Sequence, residues 1–261
     1  MNRLHTRIDT DGGVATLTLA RPEIRNALTG PEMLEEVVSA FTDPPGDARV
    51  MVITGEGTAF SAGGNVKDME ERTGMFAGSP SEIVDGYRLG IQNLTRAVAT
   101  TDVVTIAAVN GPAVGAGFDL VLGCDLRIGA AEAWFAHTFV DLGIIPGDGG
   151  AWLLPRVVGW QRATELSLTA RRVLAEEARE LDILLEVVEP GDLLPRCMEL
   201  ANQIAAKPAH SVHLTKMLLR HARTMDLAGF LDFSAALQAI SHTEPAHTEA
   251  VARYMERWKA T

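Results

Sequence analysis

Two stretches of this sequence place paired glycines at the end of an apolar run, where backbone N–H groups can be turned toward a ligand. The first is Gly55-Glu56-Gly57-Thr58-Ala59-Phe60-Ser61-Ala62-Gly63-Gly64-Asn65, and the second is Asn110-Gly111-Pro112-Ala113-Val114-Gly115-Ala116-Gly117-Phe118-Asp119-Leu120. The second precedes a helical pattern, so its amides would sit at a helix N-terminus, where unsatisfied N–H groups and the helix dipole favour negative charge. Two such loops, about fifty residues apart, can each supply one N–H to a shared point, and two donors on one oxygen make an oxyanion hole. The chemistry served is any step that puts negative charge on a carbonyl oxygen. Other glycine-loop chemistries fit poorly. A dinucleotide fingerprint needs glycine where Leu120 stands, and no G-x-x-x-x-G-K-[ST] occurs. A third stretch, Leu142-Gly143-Ile144-Ile145-Pro146-Gly147-Asp148-Gly149-Gly150, carries two consecutive turn signals.

The elements that must hold these loops are legible by periodicity. Val14-Ala15-Thr16-Leu17-Thr18-Leu19 alternates with period two, the pattern of a half-buried strand. Val50–Thr54 and Val103–Val109 are continuous apolar runs, as in strands covered on both faces. Residues 30–41 and 81–100 between them read as helices, with Thr29 as a cap and Pro31 in the first turn. Residues 70–86, with Gly74, Gly78 and Pro80, read as a mobile flap beside a site. From about residue 150 helical periods dominate to the end. Strand–helix alternation followed by a helical tail indicates an α/β core over 1–200 and a helical region over 201–261.

Composition limits the function classes. The chain has 261 residues, is 47% hydrophobic and carries a formal net charge of −11. That length can bury a large core, and the acidic balance disfavours nucleic acid or an anionic membrane as the main partner. No apolar run approaches the roughly 20 residues that span a bilayer. Cys124 and Cys197 are isolated, without metal-type spacing or a disulfide framework. With no apolar signal region at the N-terminus, a cytoplasmic location is expected.

Several motifs, in order, resemble the enoyl-CoA hydratase/isomerase (crotonase) family. They are Arg21-Pro22-Glu23-Ile24-Arg25-Asn26-Ala27-Leu28, then Ala59–Asn65, then Ala107–Gly117, then Gly143–Gly150 with the later Pro155-Arg156-Val157-Val158-Gly159. The resemblance covers most of the chain. It implies a crotonase-like spiral of ββα units with a C-terminal helical trimerisation region, assembled as a homotrimer or a dimer of trimers. It implies a coenzyme A thioester as substrate, with no metal and no redox cofactor. It also assigns the thioester oxygen to the N–H groups of Gly64 and Ala116, flanked by Gly63 and Gly115. CoA is then gripped near Arg25 and Ala27, with Ala62 close to the adenine.

The family's hydratases flank the substrate with two carboxylates, one on the helix after the second glycine loop and one shortly before the third. By that resemblance the first position is Asp119, expected as the principal acid/base. The second is Phe139, a departure that three neighbours can offset: His137, Asp141 and Asp148. His137 has the titration range for proton transfer near neutrality. Asp141 stands where some family isomerases carry an acid, and Asp148 where certain hydrolases do. The expected reaction is syn addition of water to a 2-enoyl-CoA through an enolate. The alternatives are double-bond isomerisation, thioester or C–C hydrolysis, and a non-catalytic acyl-CoA-binding homologue. Trp134, Trp152 and Trp160 are expected to fill core or interface.

Overall fold

The computed structural model describes residues 3–259; the outermost residues of the expected core and tail lie outside them. The chain divides into two compact units, one ending at Ala201 and the other beginning at Asn202. Every candidate site residue falls in the first.

That unit opens with β1 (Thr6–Asp11) and β2 (Val14–Leu19), then α1 (Pro31–Thr42) and β3 (Val50–Gly55). Three helices follow, α2 (Val66–Glu71), α3 (Pro80–Leu89) and α4 (Ile91–Thr100), leading to β4 (Val104–Val109). Next come β5 (Ala113–Val114), α5 (Ala116–Gly123), β6 (Leu126–Ala130) and β7 (Trp134–Ala136). The unit continues through α6 (Gly150–Val158), α7 (Trp160–Thr169), β8 (Val173–Leu174), α8 (Ala175–Glu180) and β9 (Glu186–Val188). Helix α9 (Leu193–Ala205) crosses the division, and α10 (Ala209–His221), α11 (Leu227–Thr243) and α12 (Pro245–Lys259) form the helical tail.

Six strands form one sheet in the order β1-β2-β3-β4-β6-β9, antiparallel at β1/β2 and parallel thereafter. A smaller sheet, β5-β7-β8, lies beside the second glycine loop. All six residues of β3 and all six of β4 are buried, as their unbroken apolar runs require. Strand β2 departs from its expectation. It lies between β1 and β3 and is buried along both faces except at Thr16, which is partly exposed; Thr18 is buried with its aliphatic neighbours. Helix α4 packs Ile91, Leu94 and Val98 into the core at helical spacing, and α1 packs Met33, Val37 and Phe41. Each such side chain contributes about 1.5–3 kcal/mol on burial.

The single helix expected over 81–100 is two, broken at Gly90. Helix α1 is capped by Gly30 rather than Thr29, because the chain enters Pro31 with φ +90, open to glycine. The stretch 70–86, expected as a flap, carries a 3-10 turn at Gly74–Phe76 and a capping box of Ser79 with Glu82 that opens α3. Strands β6 to β9, at two to five residues, are too short for periodicity to reveal.

Candidate active site

The two glycine loops meet. Ser61 pairs with Ala113 as an isolated parallel bridge, and Val114 N–H donates to Ser61 O at 3.0 Å. Gly63, at φ +77, packs so closely on the second loop that a Cβ there would lie 2.3 Å from Val114 O and 3.0 Å from Ala116 N. Only glycine meets both the backbone angle and the space. The first loop is braced from behind: Ser61 Oγ donates to Asn26 O at 2.8 Å, Gly63 N–H donates to Ser61 Oγ at 3.1 Å, and Leu28 N–H donates to Gly63 O at 2.8 Å. Asn26, fully buried, ties the entry motif to this loop by donating to Glu56 O and Ala59 O at 3.0 and 2.9 Å. Asn110, at the start of the second loop, ties it to the first by accepting from Gly55 N–H at 3.1 Å.

Gly64 and Ala116 line one cavity of about 170 Å³, with Gly115 and Ala62 beside them. Ala116 opens α5, and the first N–H groups of a helix have no intrahelical acceptor. Facing these backbone groups is an apolar wall that includes Met69, Met75, Phe76, Ile91 and Phe139. Of the CoA-loop residues, Arg25 accepts through its carbonyl from Ala62 N–H at 2.9 Å and sits exposed at φ 51, while Ala27 is buried.

The acids divide into two layers. Asp148 and Asp141 line the cavity together with Gly64 and Ala116. Asp141 lies exposed on a 3-10 turn, whereas Asp148 is only 6% exposed. Helix α4 fixes the Asp148 turn: Thr95 Oγ1 donates to Asp148 O at 2.5 Å, and Gln92 Nε2 donates to Gly147 O at 2.9 Å. Burial, and then the nearby Asp119, push the Asp148 carboxyl up to about 7. That places an acid/base group at the pH where it can both take and give a proton.

Asp119 and His137, expected at the reacting centre, stand behind it, 2% and 1% exposed and outside the lining of the 170 Å³ cavity. Asp119 Oδ2 accepts from Gly150 N–H at 2.9 Å, so its carboxylate closes the N-terminus of α6. Its Oδ1 faces His137 Nε2 at 3.4 Å, and His137 Nδ1 lies 2.9 Å from Ser167 Oγ on α7. Burial raises the Asp119 carboxyl, against the opposing pull of His137 and the Gly150 N–H. The pair packs on Gly150 so tightly that a Cβ there would lie 2.1 Å from Asp119 Oδ1 and 2.4 Å from His137 Nε2. The spacing of Asp119 and His137 from the glycine loops does not show that α6 claims the carboxylate.

Sequence reasoning missed Tyr87. It lines the cavity from α3, and burial and the Asp148 charge raise its phenol. No local signal marked it, because α3 ends at Gly90 and its face does not continue into that of Ile91. Among the described residues no group of three or more His, Cys, Asp or Glu is placed to hold a metal ion, and no helix is long and apolar enough to cross a membrane.

Residues 9–261 match the family model for enoyl-CoA hydratase/isomerase. The chain belongs to the enoyl-CoA hydratase/isomerase family. It is 30% identical to the short-chain-enoyl-CoA hydratase of Clostridium acetobutylicum, over 97% of this chain and 95% of that one. It is 33% identical to the 1,2-epoxyphenylacetyl-CoA isomerase of Escherichia coli K12, over 94% and 93%. Among solved structures it resembles an enoyl-CoA hydratase of Bacillus anthracis with a TM-score of 0.90, 29% identity and 97% of each chain covered. A Thermobifida fusca protein assigned to the same activity and solved in complex with CoA superposes with a TM-score of 0.82 at 34% identity, over 98% and 95%. The family's fold is therefore this chain's fold, an α/β crotonase core followed by a helical C-terminal region.

Proposed function

We propose that this family member is an enoyl-CoA hydratase working through a thioester enolate, with Gly64 and Ala116 N–H groups on the thioester oxygen and Asp148 as principal acid/base. The observation that carries this reading is that Asp148 is the buried carboxyl sharing one cavity with both donor residues and titrating near neutrality. Negative charge developing on the thioester oxygen would face two backbone donors fixed by the sheet, where each is worth roughly 100- to 1000-fold in rate. In hydration Asp148 donates its proton to the carbon next to the thioester. Asp141, on the same cavity and open to solvent, takes the proton that the attacking water loses and releases it to solvent. Asp119 keeps a supporting role behind this pair, together with His137. Phe139 presents a ring where the second family carboxylate would stand, so the acyl group meets an apolar wall there.

Isomerisation is the second reading, favoured by a specific observation: one buried carboxyl near neutrality is enough to carry a proton from one carbon to another without activating water. CoA lies along Arg25, Ala27 and Ala62. The reading uses the chain's own groups and the CoA thioester, with no metal and no redox cofactor. Exposed apolar side chains on α7 and α12, Trp160 at 78% and Trp258 at 68%, support self-association as a trimer or dimer of trimers. A cytoplasmic site of action agrees with Cys124 and Cys197 being buried and outside any disulfide.

The test is the conjugated enoyl-thioester absorbance of crotonyl-CoA, followed for wild type, Asp148→Asn and Asp119→Asn. Hydration bleaches the band in wild type, is lost in Asp148→Asn and persists, slowed, in Asp119→Asn. Growth of the band from a 3-enoyl-CoA selects isomerisation. Release of free CoA thiol, or full activity in Asp148→Asn, refutes the proposal.

A further inference from the structure

Behind the cavity runs a line of polar atoms that substrate binding does not explain. Ser167 Oγ, half-buried on α7, lies 2.9 Å from His137 Nδ1, and His137 Nε2 lies 3.4 Å from Asp119 Oδ1. Both inner atoms, Asp119 Oδ1 and His137 Nε2, are buried, and among the described residues neither has a polar partner except the other. Buried polar atoms so sparsely paired cost stability and are rare, so a matched pair facing each other calls for a role. On its other side Asp119 lines a second, small cavity of about 10 Å³ with Asp148 and Ala116. That is at the threshold for a single water molecule. Two carboxyl groups supply the polar partners such a water needs.

We infer that Ser167, His137 and Asp119 form a proton relay linking Asp148 to solvent by a path separate from the mouth of the substrate cavity. The inference rests on the reading of Asp148 as the acid/base. A proton arriving at Ser167 Oγ sends the hydroxyl proton to Nδ1 of His137. Nε2 passes its proton to Asp119 Oδ1, and Asp119 passes one through the small cavity to Asp148. The reverse order discharges Asp148. Each hop breaks one O–H or N–H bond and forms another, so one proton moves in all and nothing is oxidised or reduced. The path matters once acyl-CoA fills the larger cavity, because the acid is then shut off from water on its front side. Asp119 and His137 are positioning and relay groups in this scheme, and Ser167 is its outer terminus.

The experiment follows the carboxylic C=O infrared band of protonated Asp148, well below neutrality, after mixing into D2O. It is run with and without the unreactive thioether S-butyl-CoA in the cavity, for wild type, Ser167→Ala and Ser167→Thr. Alanine on a helix face disturbs folding little, and threonine restores the hydroxyl. With the cavity filled, exchange in Ser167→Ala is expected to slow by roughly 100-fold, the scale of one positioned proton-transfer group. Exchange in Ser167→Thr follows wild type, and all three proteins exchange alike with the cavity open. Equal rates in wild type and Ser167→Ala with the cavity filled overturn the relay. Loss of the band in Asp148→Asn identifies it as that of Asp148, and full crotonyl-CoA turnover in the same variant refutes instead the assignment of Asp148 on which the relay rests.

Discussion

Replacing Asp148 by asparagine keeps the side chain's shape and removes its ionisation, and the consequence for stability can be worked out. Burial, and then the charge of Asp119, raise this carboxyl from 3.8 to about 7 in the folded protein. The folded value lies above the unfolded one, so Asp148 stabilises the fold fully below about pH 4, and that contribution is lost as pH rises through 7. At about 1.4 kcal/mol per pH unit the loss amounts to roughly 4 kcal/mol by pH 8. An amide at this position escapes it. Asp148→Asn is therefore expected to be more stable than wild type at about pH 8, by a few kcal/mol, and to lose that advantage toward pH 4. Its turnover falls roughly 100- to 10,000-fold at the same time. Guanidinium denaturation of both proteins at the two pH values, with matching slopes, measures the difference. An advantage that does not change with pH, or a variant less stable than wild type at pH 8, refutes the argument that this carboxyl is held protonated by its surroundings.

Other outcomes follow from the same geometry. With Asp148 as the proton donor in hydration, kcat/KM falls as pH rises through about 7, and Asp119→Asn moves that limb to lower pH because a like charge has been removed; an unmoved limb separates the two carboxyls electrostatically. Gly150→Ala forces a methyl against the Asp119–His137 pair and is expected to cost about 1–3 kcal/mol in a denaturant titration, whereas an ordinary glycine-to-alanine change inside a helix stabilises. Gly63→Ala combines a positive φ with a clash against Val114 O and separates the two loops; calorimetry should show CoA-thioester binding lost even where soluble protein is recovered.

The glycine loops were legible because their function needs only backbone: apolar runs gave the strands, and paired glycines at their ends gave the amides. Strands β3 and β4 are accordingly where the sequence puts them. The acids were less legible. Asp119 and Asp148 are equally plain aspartates in sequence, and which of them faces the cavity is decided by Gly150, whose N–H takes the Asp119 carboxylate from the next helix. No local pattern encodes a hydrogen bond between elements 31 residues apart. Tyr87 and Ser167 were invisible for a similar reason, since each acts through a helix packed against the site. The stretch 70–86 reads both ways. Its glycines and proline look like loop signals, yet the Ser79–Glu82 box and Pro80 are equally the start of a helix.

The donors of the site are main-chain atoms held between strands, whereas Asp141 and Asp148 ride on the single stretch of chain between β7 and α6. Anion trap and proton carrier are thus inherited on separate parts of the molecule. Randomising positions 139, 141 and 148 together leaves Gly64, Ala116 and their bracing by Ser61 and Asn26 untouched. Such a library should retain thioester capture throughout while its members diverge in what they do to the captured acyl group. In that sense the protein is a fixed vice with an exchangeable tool.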